Sequence, residues 1–303
     1  MQAINNVQYN INEMNYIFHI ITLLNIYIIL ILGTNITVGM AGLLTLCQAA
    51  FYGIGAYVGT VLLMHLEVPF FIIALMVSVC TGFYSFLISY ASLKLKNDYI
   101  TLATLGFQMI VFAVLYNWVD VTSGPYGISG IPTIKIFGVW SINGFIPYAI
   151  FTTIIMVVLT NVFVILKKSP YGRLLRAIRS DEVSVKSLGR NTAFAKTTAF
   201  FISAAFSGVA GVIYASYVSF IDPTSFTLNE SLFIICALFI GGIGNAKGSI
   251  AGAFFVIIIP ELLRLIGLPD AIAANLREII YGIALILVVF FRPKGLVGEK
   301  IYN

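Results

Sequence analysis

Apolar runs long enough to cross a membrane recur along the whole chain, at about 16–33, 36–65, 69–93, 99–119, 145–166, 194–220, 230–244, 248–268 and 275–292. About 20 apolar helical residues cover the ~30 Å of hydrocarbon in a bilayer. Lipid offers no partner to a backbone N–H or C=O, so only helices and closed barrels can span it. A barrel would show short segments of alternating polarity. These runs are continuous, which predicts an all-α polytopic membrane protein with about nine transmembrane helices. Composition agrees: 60% of the 303 residues are hydrophobic and 10% are charged, against about 25% charged in ordinary soluble domains.

Run 36–65 is longer than one span needs. Its glycines at 39, 42, 53, 55 and 59 are positions where the helix could break into halves, as is tolerated where backbone is buried or lines a cavity. The run 230–244 is short, and "GGIGNAKGS" (241–249) reads as a tight turn or a re-entrant tip.

Positive charge sets the orientation. No Lys or Arg precedes Lys94. With the N-terminus outside and the C-terminus cytoplasmic, the inner side receives Lys94, Lys96, Lys167, Lys168, Arg173, Arg176, Arg179, Lys186, Arg190, Lys196, Lys247, Arg292, Lys294 and Lys300. Only Lys135, Arg264 and Arg277 are left for the outer side, beside Asp120, Asp222, Glu230 and Asp270. The net charge of +5 thus reflects membrane orientation, and nucleic acid is not an expected partner. The first fifteen residues hold no Lys or Arg, so the first run reads as a retained span rather than a signal peptide. The chain reads as one transmembrane domain, 1–303, with a cytoplasmic loop at about 167–193 and a Gly/Pro-rich outer loop at 120–144.

Several chemistries are disfavoured. Cys47, Cys80 and Cys236 sit inside apolar runs, and His19 and His65 have no second ligand nearby, so no metal site is expected. "GIGAYVG" (53–59) and "GIGNAKG" (242–248) lack the strand and solvent-facing helix start of a phosphate loop. Gly55/Gly59 and Gly248/Gly252, four residues apart, suit close helix packing instead. Asp98, Asp120, Glu261, Arg264, Arg277 and Glu278 fall near span ends, whereas midspan polar residues are neutral: Asn25, Thr45, Gln48, Ser85, Thr104, Gln108 and Ser203. That pattern disfavours an ion-coupled carrier and an intramembrane hydrolase. The chain itself is not expected to be an enzyme, and its driving energy would come from elsewhere.

Charge concentrates in "GRLLRAIRSDEVSVKSLG" (172–189). Leu174, Ile178, Val185 and Leu188 can share one face of a helix. Pro170 suits its first turn and Gly189 its end. Such a helix could lie on anionic lipid or dock a protein. Asp181 and Glu182 favour docking, because acids gain nothing at a lipid surface.

This stretch resembles the cytoplasmic coupling loop, the EAA loop, of ABC importer permeases. More closely, it is similar to the branched-chain amino acid (leucine–isoleucine–valine) permease family, with its G-R-x-x-x-A-I-R-x-[DE]-E-x-A-A-x-x-x-G pattern. Gly172, Arg173, Ala177, Ile178, Arg179, Asp181, Glu182 and Gly189 match, while Ser184 and Val185 replace the two alanines. "GMAGLLTLCQAAFYGIGAY" (39–57), "NDYITLATLGF" (97–107), "SGPYGISGIP" (123–132), "AFSGVAGVIYA" (205–215), "GGIGNAKGSIAGA" (241–253), "PELLR" (260–264) and "FRPKGLVG" (291–298) continue the likeness in order. The second and third of these favour the M-type subunit over the H-type.

The resemblance implies a multi-pass permease of a bacterial cytoplasmic (inner) membrane, moving branched-chain amino acids. It implies a second homologous permease, two cytoplasmic ATP-binding subunits that hold ATP and Mg, and an extracytoplasmic substrate-binding protein, with no cofactor on this chain. Gly172, Arg173, Arg176, Ala177, Arg179, Asp181, Glu182 and Gly189 would couple to the ATPases. Gly39, Gly42, Thr45, Gln48, Thr101 and Thr104 are the candidates for the substrate pathway. Related permeases move urea, short amides or other amino acids, and a self-sufficient secondary carrier is the reading from a different class.

Overall fold

The computed structural model describes residues 2–66, 68–92, 97–136, 140–265, 270–291 and 295–297, with side chains described from Met14 onward. Lys94, Lys96, Arg292, Lys294 and Lys300, and the side chains of Asp98, Arg264, Arg277 and Glu278, lie outside the described residues. The helices are α1 (Gln2–Thr34), α2 (Gln48–His65), α3 (Phe70–Ser92), α4 (Asn97–Asn117), a single turn α5 (Val119–Thr122), α6 (Phe145–Lys168), α7 (Pro170–Ser180), α8 (Glu182–Ser187), α9 (Thr192–Val218), α10 (Leu228–Gly241), α11 (Ala246–Leu265) and α12 (Asp270–Phe291). Among the described residues, six stretches are long and apolar enough to cross a membrane: Met14–Met40, Phe70–Tyr90, Tyr99–Asn117, Phe145–Lys168, Thr192–Val218 and Ala246–Leu263. The apolar stretches Leu228–Gly241 and Ile279–Val288 are shorter.

The expected gap between runs 16–33 and 36–65 is absent. α1 continues through a π-helical segment, Asn35–Met40, and the chain leaves helical form only at residues 41–47. The break therefore follows Gly39 and Gly42, whereas Gly53, Gly55 and Gly59 remain inside α2. Helix α2 stays intact there because it is packed closely against α9. A Cβ on Gly55 would sit 2.4 Å from Gly208 Cα, so only a glycine admits that approach.

α9 is the centre of the bundle. It packs against α1, α2 and α3, and its small residues Ala199, Ala204, Ala210 and Ala215 are buried. α10 and α11 form an antiparallel pair joined by a turn at 242–245, so "GGIGNAKGS" is a tight turn.

The loops gather at two ends. At one end, α7, α8, the 242–245 turn and residues 295–297 lie together, with Leu296 and Val297 N–H groups donating to Ile240 and Gly241 carbonyls at 2.9 Å each. At the other, the 120–144 loop contains three two-residue strands, β1 (Ile128–Ser129), β2 (Lys135–Ile136) and β3 (Trp140–Ser141). β1 pairs with β4 (Phe220–Ile221) after α9, and β2 pairs with β3, both antiparallel. These short strands are the small departure from an all-helical chain.

Midspan polar side chains pair between helices. Asn25 donates to Thr152 and Thr153 on α6 at 3.1 and 2.9 Å. Gln108 on α4 accepts from the Ala50 N–H at 2.7 Å and donates to the Phe226 carbonyl at 2.8 Å. The Ala49 N–H donates to Ser231 at 2.9 Å, and the Leu46 N–H to Thr104 at 3.0 Å. The first turn of a helix has no intrahelical partners for its N–H groups. α2 starts inside the bundle, so side chains of α4 and α10 supply those partners. Gln108→Leu should leave the Ala50 N–H and Phe226 carbonyl unpaired, a loss of about 1–3 kcal/mol seen as a lower thermal midpoint in detergent. An unchanged midpoint would refute this role.

Candidate functional site

The loop between α6 and α9 is built from caps. Ser169 accepts from the Gly172 N–H at 3.1 Å, and Pro170 occupies the first helical position of α7, where a missing N–H costs nothing. Asp181 then leaves helical geometry (φ −156°, ψ 102°) and accepts from the Val183 and Ser184 N–H groups at 2.9 and 3.2 Å. The single helix expected over this stretch is therefore two helices, because an aspartate that can cap a new start competes with continuation. Hydrogen bonds from Ser184 and Val183 hold the exposed Asp181 carboxyl below the usual range. Gly189, at φ +74°, follows the end of α8 as expected.

Three anchors fix this loop to the membrane helices. Arg173 and Arg176 donate to the Lys168 and Lys167 carbonyls, both at 3.0 Å, at the end of α6, where cations meet the negative pole of the helix. Gly172 packs on the same turn, and a Cβ there would lie 2.3 Å from the Leu166 carbonyl oxygen. The Tyr171 hydroxyl donates to the Ala195 carbonyl at 2.8 Å.

Glu182 makes the third anchor. It accepts from Lys196 at 2.6 Å and from Thr192 at 3.1 Å, both on α9, and pairs with Lys186 at 3.1 Å. Lys196 is 8% exposed at its side chain. Burial pushes the Glu182 carboxyl up, but the lysine and threonine donors outweigh it and leave the group below its ordinary 4.5. A depressed carboxylate contributes stability above the unfolded value, which is lost as pH falls through the folded one. Protection of the α8 amides, taken relative to the free-peptide exchange rate at each pH, should therefore be equal at about pH 7 and 5 and fall only in acid below about 4.5. Loosening between the first two would contradict this pairing.

The outward face differs from the expected one. Leu175, Ile178 and Val185 are buried, Leu174 is half-buried, and Leu188 is 79% exposed. The expected stripe of Leu174, Ile178, Val185 and Leu188 assumed one straight helix, and the bend at Asp181 turns Leu188 outward. Exposed Ala177 and Phe194 (70% exposed) border a groove of about 570 Å³ together with Pro170, Leu174 and Arg190. Phe194 and Lys196 belong to this site and were not singled out in the sequence, since their role depends on α9 standing beside α7.

Arg179 joins the loop to the break after α1. Its Nη1 donates to the Gly39 carbonyl at 2.6 Å, and burial lowers its otherwise very high pKa. Gly42 has φ +72°, and a Cβ there would lie 2.6 Å from Arg179 Cγ, so backbone and side chain both require glycine. Gly39 in turn packs on Asn35, which accepts from the Gly244 N–H at 2.8 Å and donates to Ser249 at 2.9 Å and the Asn245 carbonyl at 3.2 Å. The chain thus has a continuous polar link from α7 through the π-helical segment to the α10–α11 turn.

Of the candidates for a pathway, Gly39 and Gly42 sit in this link. Thr101 and Thr104 hold residues 41–47, with Thr101 donating to the Leu44 carbonyl at 3.1 Å. Gln48 bonds Ser207 and Ser203 on α9. Buried Thr45 has no hydrogen-bond partner among the described residues. None of the six borders the cavity of about 330 Å³ that lies among α1, α2, α9, α10, α11 and α12. Tyr27, Tyr52, Tyr214 and Glu230 do.

A family model described as the permease component of branched-chain amino acid transport systems matches residues 16–289. The high-affinity branched-chain amino acid transport system permease protein LivM of Escherichia coli (strain K12) is 34% identical over 299 residues, 91% of this chain and 69% of that protein. The probable LivM permease of Methanocaldococcus jannaschii is 28% identical over 221 residues, 69% of this chain and 62% of that one. The LivH permease of Salmonella typhimurium is 24% identical over 310 residues, 93% and 94% of the two chains. No solved structure matches.

Proposed function

We propose, from the premise that this chain belongs to the permease-component family of branched-chain amino acid transport systems, that it is one half of the membrane pathway of an ABC importer for those amino acids. It is a multi-pass membrane protein and a transport component. On this reading the chain is a single transmembrane domain that crosses a bacterial cytoplasmic membrane nine times, N-terminus outside and C-terminus inside. Clustering of α7, α8, the 242–245 turn and residues 295–297 at one end supports that topology, as does the pairing of β1 with β4 at the other. The partners are a second homologous permease of the LivH kind, two ATP-binding subunits carrying ATP and Mg, and an external binding protein.

The observation that carries the reading is the 169–191 loop. It presents an apolar groove, with Phe194 and Leu188 outward, at the end where positive charge collects. Exposed apolar surface of that kind marks a protein contact. The same loop is bonded through Arg179 to the intramembrane break, so a movement imposed on it reaches the helices directly. Gly172, Arg173, Arg176, Ala177, Arg179, Asp181, Glu182 and Gly189 divide the work: the arginines, Asp181 and Glu182 hold the loop's shape, and Ala177 lines the docking groove.

Co-purification with the neighbouring ATPase subunits, followed by reconstitution, tests the proposal. ATP-dependent uptake of leucine in preference to urea is the expected result. Uptake of urea instead would reassign the substrate, and uptake without the ATPases would overturn the reading in favour of a secondary carrier.

A further inference from the structure

A buried amide ties the turn of the α10–α11 hairpin to α1. Asn35, fully buried at the start of the π-helical segment, accepts from the Gly244 N–H at 2.8 Å and donates to Ser249 at 2.9 Å and to the Asn245 carbonyl at 3.2 Å. Its oxygen and its amino group are both committed to this one turn. No Cβ fits on Gly39 without striking the Asn35 oxygen, so the glycine makes room for the amide. From the other side, Arg179 donates to the Gly39 carbonyl. Residues 295–297 grip the same turn: the Asn245 side chain donates to the Val297 carbonyl at 3.3 Å, beside the two backbone bonds to Ile240 and Gly241. Glycines hold the hairpin together, since a Cβ on Gly241 would strike the Gly248 carbonyl oxygen. Further along it, Phe233, Val256 and Ile257 line the cavity of about 330 Å³, whose remaining wall includes Ile26, Tyr52 and Tyr214 of α1, α2 and α9.

Resting on the transport reading above, we infer that Asn35 is the positioning residue that passes movement of the 169–191 loop to the α10–α11 hairpin, which makes the hairpin the moving wall of this cavity. Packed elements shift between discrete arrangements rather than deforming continuously, so parts joined by oriented hydrogen bonds move together. Apolar contact alone would let the two surfaces slide. The push arrives through Arg179 on a six-residue π-helical run, a geometry that is rare and concentrates at functional sites. Its wide turns are closed by the Ala41 N–H on the Ile36 carbonyl at 3.2 Å and the Leu43 N–H on the Thr37 carbonyl at 3.0 Å. Asn35 then delivers the push at the hairpin's turn. Phe233 lies eight residues along α10 from Gly241, about 12 Å at ~1.5 Å per residue. A tilt at the turn therefore becomes a displacement at the cavity. A fully bonded amide serves here where an apolar side chain would not, because its bonds add the direction that packing lacks.

The test uses the assembled, reconstituted complex carrying Ser225→Cys, a small substitution in the cavity wall. Modification by a charged methanethiosulfonate is timed without nucleotide and with ATP plus vanadate, against the same complex lacking that cysteine. The rate should differ between the two conditions with Asn35 in place and become equal in Asn35→Leu, while ATP hydrolysis continues. Amino acids imported per ATP should fall about tenfold or more in Asn35→Leu, which deletes three hydrogen bonds. In Ser249→Ala, which deletes one of them and leaves the amide in place, the fall should be about two- to tenfold. A purely structural role predicts instead that thermal midpoint, hydrolysis and import fall in step, with import per ATP and the nucleotide-dependent labelling unchanged in the complexes that remain. That result in either variant would overturn the inference. So would a wild-type labelling difference in Asn35→Leu, or a complex that imports leucine with no labelling difference at all. A wild-type complex without ATP-driven leucine uptake would overturn the transport reading, and the role of Asn35 with it.

Discussion

Glu182→Lys should abolish ATP-driven uptake while leaving the chain in the membrane. The substitution removes the acceptor of Lys196 and Thr192 and sets a third cation beside Lys186 and Lys196. Breaking one side of a fully buried ion pair costs ~3–5 kcal/mol, because the remaining charge stays in low dielectric. Lys196 is 8% exposed but Glu182 keeps 28% of its side-chain surface in water, so the expected cost is nearer ~2 kcal/mol. That is small against the bundle and large for a six-residue helix, so α8 should detach from α9 while the spans persist. The charge swap Glu182→Lys with Lys196→Glu restores an opposite pair at the same place and should recover a substantial part of the uptake. Wild-type uptake in the single variant, or no recovery in the swap with both variants correctly inserted, would remove the anchor from the coupling account.

Arg179→Ala should separate hydrolysis from transport. It removes the bond to the Gly39 carbonyl without touching the outward groove, so the ATPases should still dock. A bond from a charged donor is worth ~1.5–3 kcal/mol, which corresponds to a loss of coupling of about ten- to hundredfold. ATP hydrolysis stimulated by the binding protein should persist while amino acids taken up per ATP fall by about that factor. Arg179→Lys should restore only part, since a lysine lacks the planar fork that reaches past Gly42. Uptake and hydrolysis falling in step would make Arg179 a matter of stability rather than coupling.

Several features were legible beforehand for local reasons. Gly189 follows the end of α8 at φ +74°, and Gly55/Gly59 and Gly248/Gly252 serve close packing, with a Cβ on Gly252 2.0 Å from the Ala237 carbonyl oxygen. The bend at Asp181 is written in the chain as a capping residue followed by Glu182, but the apolar spacing of Leu174, Ile178, Val185 and Leu188 runs across it as if through one helix. Leu188 consequently faces outward. Lys196 looked like one more inner-side positive charge, and only its neighbour Glu182 makes it an anchor.

What the sequence determined by itself is what a bilayer tests one segment at a time: which stretches are apolar for long enough, and where charge must leave the lipid. Each depends on neighbours along the chain, so each is readable in order. Only the tertiary structure decided where the long run breaks, because the segment at 41–47 is stabilised by Thr101 and Thr104 on α4. Only it brought Arg179 to Gly39, 140 residues away, and set Tyr27 and Glu230 on the wall of one cavity. Those meetings depend on how helix surfaces fit together, and surface fit leaves no period in a single strand of residues.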